Sequence, residues 1–265
     1  MLIGVAIPAN AQKVLKIDAI TMQCWLIGPN FELRQKWYGG LLASNGCIYG
    51  IPQNSDSILK IDPKKEHISE IGKGLLPRGR YMWHGGLTTA DKRFIYCFPN
   101  HADSVLKVDT EDDKITFIGD KSQLQSGRHR KPQDGKYKYL GGAITPTGKA
   151  FLFPCEAERV LMIDTNVDVI KCVGPYFLEG ENKFQNGFCC DDAVYGIPQR
   201  ARGVLKISEH EDNGVNDGVL IEILDCGQNI KQYKDKFEGG VLGKDGCVYC
   251  MPLICKDVLR INMNY

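Results

Sequence analysis

An all-β, six-bladed propeller of four-stranded antiparallel blades is the architecture that the 265-residue sequence predicts. Three observations carry it. One phrase recurs six times, as IPANAQKVLKID, IPQNSDSILKID, FPNHADSVLKVD, FPCEAERVLMID, IPQRARGVLKIS and MPLICKDVLRIN. Its prolines, Pro8, Pro52, Pro99, Pro154, Pro198 and Pro252, are spaced by 44, 47, 55, 44 and 54 residues, the period of a repeat protein built from small sheets. Each phrase lies among short β-branched and aromatic runs separated by turn residues, as antiparallel strands require.

The elements of one repeat follow in order. A Gly-Gly pair comes first, at 39–40, 85–86, 141–142 and 239–240, with Asn186-Gly187 as the weak copy, and it opens an apolar strand, A. The pair either lets strands approach closely or brings backbone to a ligand. A second run ending at the proline (CIYGIP, FIYCFP, AFLFP, AVYGIP, CVYCMP) is strand B. The VLKID run is strand C, closed by Asp18, Asp62, Asp109, Asp164, Ser208 or Asn262, with the aspartates expected to form turns. A final run ending in glycine (MQCWLIG, HISEIG, ITFIG, DVIKCVG, VLIEILDCG) is strand D.

The repeats, at about 1–28, 39–72, 85–119, 141–174, 186–227 and 239–265, cover the chain and predict a single domain. The pattern starts on a B strand and stops after a C strand, giving six B, six C, five A and five D strands and incomplete terminal blades. Missing sequence, thin terminal blades or a covering partner chain would each account for that, since an unpaired edge invites partners.

The segment IYGIPQNSDSILKIDPKKEHISEIG resembles the YVTN and NHL types of β-propeller repeat, in which an aromatic strand, a polar turn, a V-x-x-I-D strand and an I-x-x-I-G strand recur. The resemblance spans nearly the whole chain on generic propeller positions. It implies a propeller used for binding or, less often, as an enzyme scaffold, and names no substrate.

Composition adds limits. The chain is 43% apolar and 25% charged, as in soluble globular proteins, and no apolar run is long enough to span a bilayer. The apolar start lacks a basic leader and already belongs to the first repeat. Eleven cysteines show no paired C-x-x-C spacing, so buried thiols in an intracellular, reducing compartment are expected rather than zinc ligands or an activated redox thiol.

Function is expected where the copies differ. Two insertions stand out: acidic SEHEDNGVND at 208–217 between strands C and D, and basic DKSQLQSGRHRKPQDGKYKY at 120–139 between D and A. The D–A segments together carry net +8 in a chain of net +1. Such a loop face would steer an acidic protein partner or an anionic ligand, unless the charges are merely solvated. Trp37, Trp83, Tyr139, Phe184 and Phe237 stand two positions before the pairs, either packed between blades or as a stacking platform. Tyr38 and His84 vary beside them, Lys36, Lys138, Lys183 and Lys236 precede them, and Asn54, Asn100 and Arg200 follow the prolines. The predicted contact set is therefore Trp37, Tyr38, Trp83, His84, Tyr139, Arg128, Arg130, Lys131, Lys236, Asn54, Asn100 and Arg200.

The expected role is a non-enzymatic binding or scaffold propeller, a subunit of a larger complex, with no cofactor, no metal and no catalytic residue assigned. Nucleic acid is the lesser partner. The alternative is a lactonase, hydrolase or lyase propeller with a metal in a central channel, for which Glu238 and Glu156 are the best carboxylates beside Asn54 and Asn100. No nucleophile elbow, P-loop or dinucleotide fingerprint is present in a meaningful context.

Overall fold

The structure, a computed structural model, describes residues 3–124, 137–178, 181–211, 217–227 and 233–263. The chain forms two compact units, Met1–Phe117 and Ile118–Tyr265.

The first unit holds three antiparallel meanders. β1 (Ile3–Ala6), β2 (Val14–Asp18) and β3 (Gln23–Ile27) make a three-stranded sheet. β4 (Trp37–Leu42), β5 (Ile48–Pro52), β6 (Ile58–Asp62) and β7 (His67–Ile71) make a four-stranded one, as do β8 (Trp83–Thr88), β9 (Phe94–Pro99), β10 (Val105–Asp109) and β11 (Lys114–Ile118).

The second unit opens with α1 (Lys121–Leu124), one turn capped by Asp120, whose Oδ1 accepts the Ser122 and Gln123 amides. Two four-stranded sheets follow: β12 (Tyr139–Ile144), β13 (Lys149–Pro154), β14 (Val160–Asp164) and β15 (Val169–Val173), then β16 (Phe184–Cys190), β17 (Ala193–Pro198), β18 (Gly203–Glu209) and β19 (Val219–Asp225). The last sheet has three strands, β20 (Phe237–Leu242), β21 (Cys247–Pro252) and β22 (Leu259–Asn262). Among the described residues, the predicted A, B, C and D strands are all present in the predicted order. The acidic insertion partly lengthens strands: β18 and β19 are seven residues each, paired out to Glu209 opposite Val219.

Each motif residue has a structural reason. The aromatic that opens strand A faces the proline that ends strand B in all five copies: Trp37 on Pro52, Trp83 on Pro99, Tyr139 on Pro154, Phe184 on Pro198 and Phe237 on Pro252. The register then shifts at the glycine pair, so the pair marks a β-bulge. Gly39 and Gly85 take positive φ there, and so does Asn186, a residue that tolerates the left-handed region. Asn186-Gly187 is thus a working copy of the motif. The terminal aspartates of strand C do form turns. Asp18 accepts the amides of Ile20 and Thr21, and Asp62 those of Lys64 and Lys65, bonds that hold both carboxyls below the usual range.

Within each unit the cores lie between consecutive sheets. Ile51 and Ile58 of the second sheet pack with Trp83, Cys97, Leu106 and Val108 of the third. Phe153 and Val160 of the fourth pack with Val194, Leu205 and Ile207 of the fifth. All eleven cysteines are free thiols; Cys97 and Cys247 are buried strand residues, as expected, Cys47 is buried just before β5, and burial pushes the Cys97 thiol well up.

Candidate functional site

Within each unit, the segment entering strand A at one end of its sheet meets the B–C turn of the sheet before it. The contact obeys one rule. The amide just before the strand-A aromatic donates to the carbonyl just after the preceding proline: Lys36 to Ala9 (3.0 Å), Met82 to Gln53 (2.8 Å), Lys183 to Cys155 (3.2 Å) and Lys236 to Gln199 (2.8 Å). A side chain two residues after the proline adds a second bond. Asn10 Oδ1 accepts Gln35 N–H (3.0 Å), Asn54 Oδ1 accepts Tyr81 N–H (2.8 Å) and Glu156 Oε1 accepts Asn182 N–H (2.6 Å). In the fifth copy the polarity reverses, with Arg200 Nε donating to Asp235 Oδ1 at 2.6 Å. Gln35, Tyr81 and Asn182 all hold positive φ, which turns their amides toward these acceptors.

This end was expected to present a basic face. Four of its lysines instead lie inside: Lys36, Lys138, Lys183 and Lys236 are all buried. The Lys36 ammonium donates to the carbonyls of Ala11 (2.9 Å), Leu33 (2.7 Å) and Ala9 (3.3 Å). Lys236 donates to Arg200 (3.1 Å) and Ala201 (3.0 Å) carbonyls. Burial holds both ammonium groups below the ordinary lysine range. These cations cap turn carbonyls of the neighbouring sheet, so Lys236 serves the scaffold. The aromatic positions are core as well. Trp37, Trp83 and Tyr139 are fully buried, and their polar atoms donate to the carbonyls of Ser57 (2.8 Å), Ser104 (3.0 Å) and Arg159 (3.2 Å). Their ring faces are covered by protein, which favours packing over a stacking platform.

The other predicted residues divide. Tyr38 is partly exposed and stacks on His84, centroids 3.9 Å apart with planes at 25°. His84 is buried, and desolvation holds its imidazole neutral, with a pKa pushed down to about 4. Asn100 is buried, and its Oδ1 has no hydrogen-bond partner among the described residues. Asn54 is spent on the joint to Tyr81. Arg128, Arg130 and Lys131 lie outside the described residues.

Arg200 of the predicted set opens onto a cavity. A cleft of about 630 Å³ lies at this end of the fifth sheet, lined by Tyr176, Phe177, Leu178, Arg200, Arg202 and Ile223, with Lys183 and Phe184 behind them. Tyr176, Leu178 and Ile223 are exposed large apolar side chains around one opening. The Arg200 guanidinium is fixed by Asp235 and lies 3.6 Å from Glu181, contacts that raise its pKa further. Arg159 lies over the Tyr176 ring, 5.3 Å from its centre.

The sequence did carry a signal for this cleft. GPNFEL, after the first D strand, aligns with GPYFLE after the fourth. Phe31 and Phe177 are equivalent: their amides bond Gln12 and Glu158 carbonyls, and their rings meet Trp37 and Phe184 edge-on. Tyr176 and Leu178 therefore replace Asn30 and Glu32 at exposed positions, and Arg202 stands where the second copy has Asp56. Among the described residues, no group of three or more His, Cys, Asp or Glu side chains is placed to hold a metal ion. Among them, no helix is long and apolar enough to cross a membrane.

No family model and no curated protein sequence matches the chain. Solved structures do. A catalytically inactive variant of virginiamycin B lyase from Staphylococcus aureus, with quinupristin, superposes with a TM-score of 0.68 at 14% identity, covering 97% of this chain and 76% of that one. A functionally unknown protein from Desulfotomaculum acetoxidans gives 0.63 at 14%, covering 95% and 73%. A candidate 6-phosphogluconolactonase from Bacteroides uniformis gives 0.60 at 14%, covering 99% and 78%. With its meandering three- and four-stranded antiparallel sheets, the chain has the fold of the β-propeller proteins.

Proposed function

We propose that the chain is a binding module of the propeller type, its six sheets serving as six blades, and that its ligand is a small anion with an apolar body. The cleft at the end of the fifth sheet carries this reading. Its scaffold is the same as in the first copy, yet two polar surface positions have become Tyr176 and Leu178, and a turn position has become Arg202. Exposed apolar side chains cost solvation unless something covers them. Grouped around a cavity with two guanidinium groups, they suit a ring or acyl body with an acidic head. A binding role also fits the other polar groups at this end, which are engaged in joints between sheets rather than poised as acids or bases.

The test compares two naphthyl probes of similar shape, the anionic 1-anilinonaphthalene-8-sulfonate and the uncharged N-phenyl-1-naphthylamine, by fluorescence titration. The anion is expected to bind more tightly, with Tyr176→Ala weakening both probes and Arg202→Glu weakening the anion selectively. Equal binding of both probes, or an Arg202→Glu variant indistinguishable from the parent, overturns the reading.

A second reading, a lyase or lactonase, is favoured by the likeness to virginiamycin B lyase and to the 6-phosphogluconolactonase candidate, at identities where only the fold is shared. Turnover of 6-phosphogluconolactone that is abolished by chelation of divalent metal would establish it in place of simple binding.

A further inference from the structure

The cleft beside the fifth sheet has a neighbour. A second cavity, of about 400 Å³, is lined by Arg159, Gly174, Pro175, Asp217 and the first three residues of β19, Val219, Leu220 and Ile221. The two cavities share their walls. One wall is a single stretch of chain, with Gly174 and Pro175 on the second cavity and Tyr176, Phe177 and Leu178 on the first. The other is β19, which lines the second cavity at 219–221 and the first at Ile223. Arg159 joins them, donating to the Gly174 carbonyl at 2.9 Å and to Asp217 at 2.7 Å while lying over the Tyr176 ring. One stretch of chain and one strand thus bound one groove, all of it within the second unit.

The strand itself suits a partner. Successive side chains of a strand point to opposite faces, so a cavity that touches three in a row borders the edge of β19 rather than one face. β19 is the outer strand of its sheet, and among the described residues it pairs with β18 alone. It is seven residues long, against five in the outer strands of the other four-stranded sheets. Leu220 and Ile223 are 44% and 47% exposed, and Glu222 is engaged by Lys206 of β18 at 3.5 Å. A long apolar edge without lysine or proline to guard it takes up an added strand.

The lining chooses the occupant. Arg200 and Arg202 at one end suit a carboxylate, and Tyr176, Leu178 and Ile223 suit an apolar side chain. The strand edge suits backbone amides and carbonyls, which an acyl chain lacks. A peptide that ends in an apolar residue supplies all three. The geometry points to such a peptide, with its C-terminal carboxylate at the arginines, its last side chain in the cleft and its preceding residues running parallel to β19 toward Val219. This rests on the reading of the cleft as a site for an acidic head on an apolar body. From Val219 to Ile223 is about 13 Å at about 3.3 Å per residue, so about five peptide residues fill the groove.

Displacement of 1-anilinonaphthalene-8-sulfonate tests this with acetyl-leucine and with an acetylated pentapeptide, valine and threonine alternating before a final leucine, as acid and as amide. The pentapeptide acid is expected to compete about tenfold more tightly than acetyl-leucine or its own amide. N-methylation separates backbone pairing from side-chain contact. An added strand turns only alternate amides toward its neighbour, so methylating one alternate set is expected to remove the gain and methylating the other to preserve it. Equal displacement by acetyl-leucine and the pentapeptide, or equal effects of the two methylated sets, overturns the added strand and leaves the cleft reading standing. A naphthyl probe that does not bind at all overturns both.

Discussion

The Asn54 side-chain carbonyl accepts the Tyr81 backbone N–H at 2.8 Å, joining the B–C turn of the second sheet to the segment that enters the third. Two other joints use the same position with different chemistry, Asn10 on Gln35 and Glu156 on Asn182. The geometry thus asks for an acceptor oxygen at a fixed reach, and a carboxylate serves. Asn54→Ala is expected to lower stability by about 1 kcal/mol, the usual net loss of one hydrogen bond. Asn54→Asp keeps that acceptor but loses the bonds that Asn54 Nδ2 donates to the Arg34 carbonyl (3.3 Å) and Gln35 Oε1 (3.4 Å), and is expected to cost less than Ala without matching the parent. Urea unfolding of the three proteins measures both, and equal losses for Ala and Asp would refute an acceptor role.

Lys36 makes a stronger version of the same joint. Its buried ammonium donates to three carbonyls, two of them, Ala9 and Ala11, in the preceding turn. Lys36→Ala leaves those acceptors unpaired and opens a void, for an expected loss of about 2 kcal/mol. The third sheet places Met82 at this position, so Lys36→Met keeps the packing and is expected to cost less than Ala. Thermal melts of the two variants check the order.

That lysine also shows where the sequence could and could not be read. The strands were legible because their signal is local, a short apolar run between turn residues, and six copies reinforce it. The aromatic, proline and glycine positions were legible as a motif, though their pairing and the bulge that joins them became clear only with register. The buried lysines were misread as surface charge because partners such as the Ala11 and Arg200 carbonyls are backbone atoms, which composition does not show. Their recurrence before four of the five aromatics was the available clue, since charge fixed at one structural position serves the scaffold. The cleft was hidden for the opposite reason: Tyr176, Leu178 and Arg202 are departures from the repeat, visible only by aligning one copy's D–A connection with another's.

The glycine pairs separate two causes that look alike in sequence. Gly39 holds φ of +77°, and a Cβ there would meet nothing nearer than the Gly85 Cα at 3.6 Å, so its constraint is conformational. Gly39→Ala is expected to cost about 1 kcal/mol, and Gly39→Asn less, because Asn186 already occupies such a conformation. Gly141 has no such φ, yet a Cβ there would lie 2.3 Å from the Asn186 nitrogen. Gly141→Ala must push two strands apart and is expected to cost about 3 kcal/mol. Chemical denaturation of the variants would show whether the order is as stated; a Gly39→Asn variant weaker than Gly39→Ala would contradict it.

His84 gives the fold a dependence on acid that can be assigned to one ring. Burial holds its native pKa at about 4, against an ordinary value of 6.5. Above the ordinary value both native and unfolded chains carry the neutral imidazole, and this group contributes no pH slope. As pH falls from about 6.5 toward about 4, the unfolded chain takes up a proton that the native site refuses, so stability declines across that window. At about 1.4 kcal/mol per pH unit the full decline approaches roughly 3 kcal/mol. Carboxylates engaged in the native state also lose stability in acid, so the informative quantity is the difference between parent and variant. His84→Phe keeps a ring against Tyr38 and removes the titration. Its stability is expected to fall less than the parent's when urea unfolding at about pH 7 is compared with about pH 4.5. Parallel losses in the two proteins would mean that the imidazole is hydrated in the native state and titrates as an exposed histidine does.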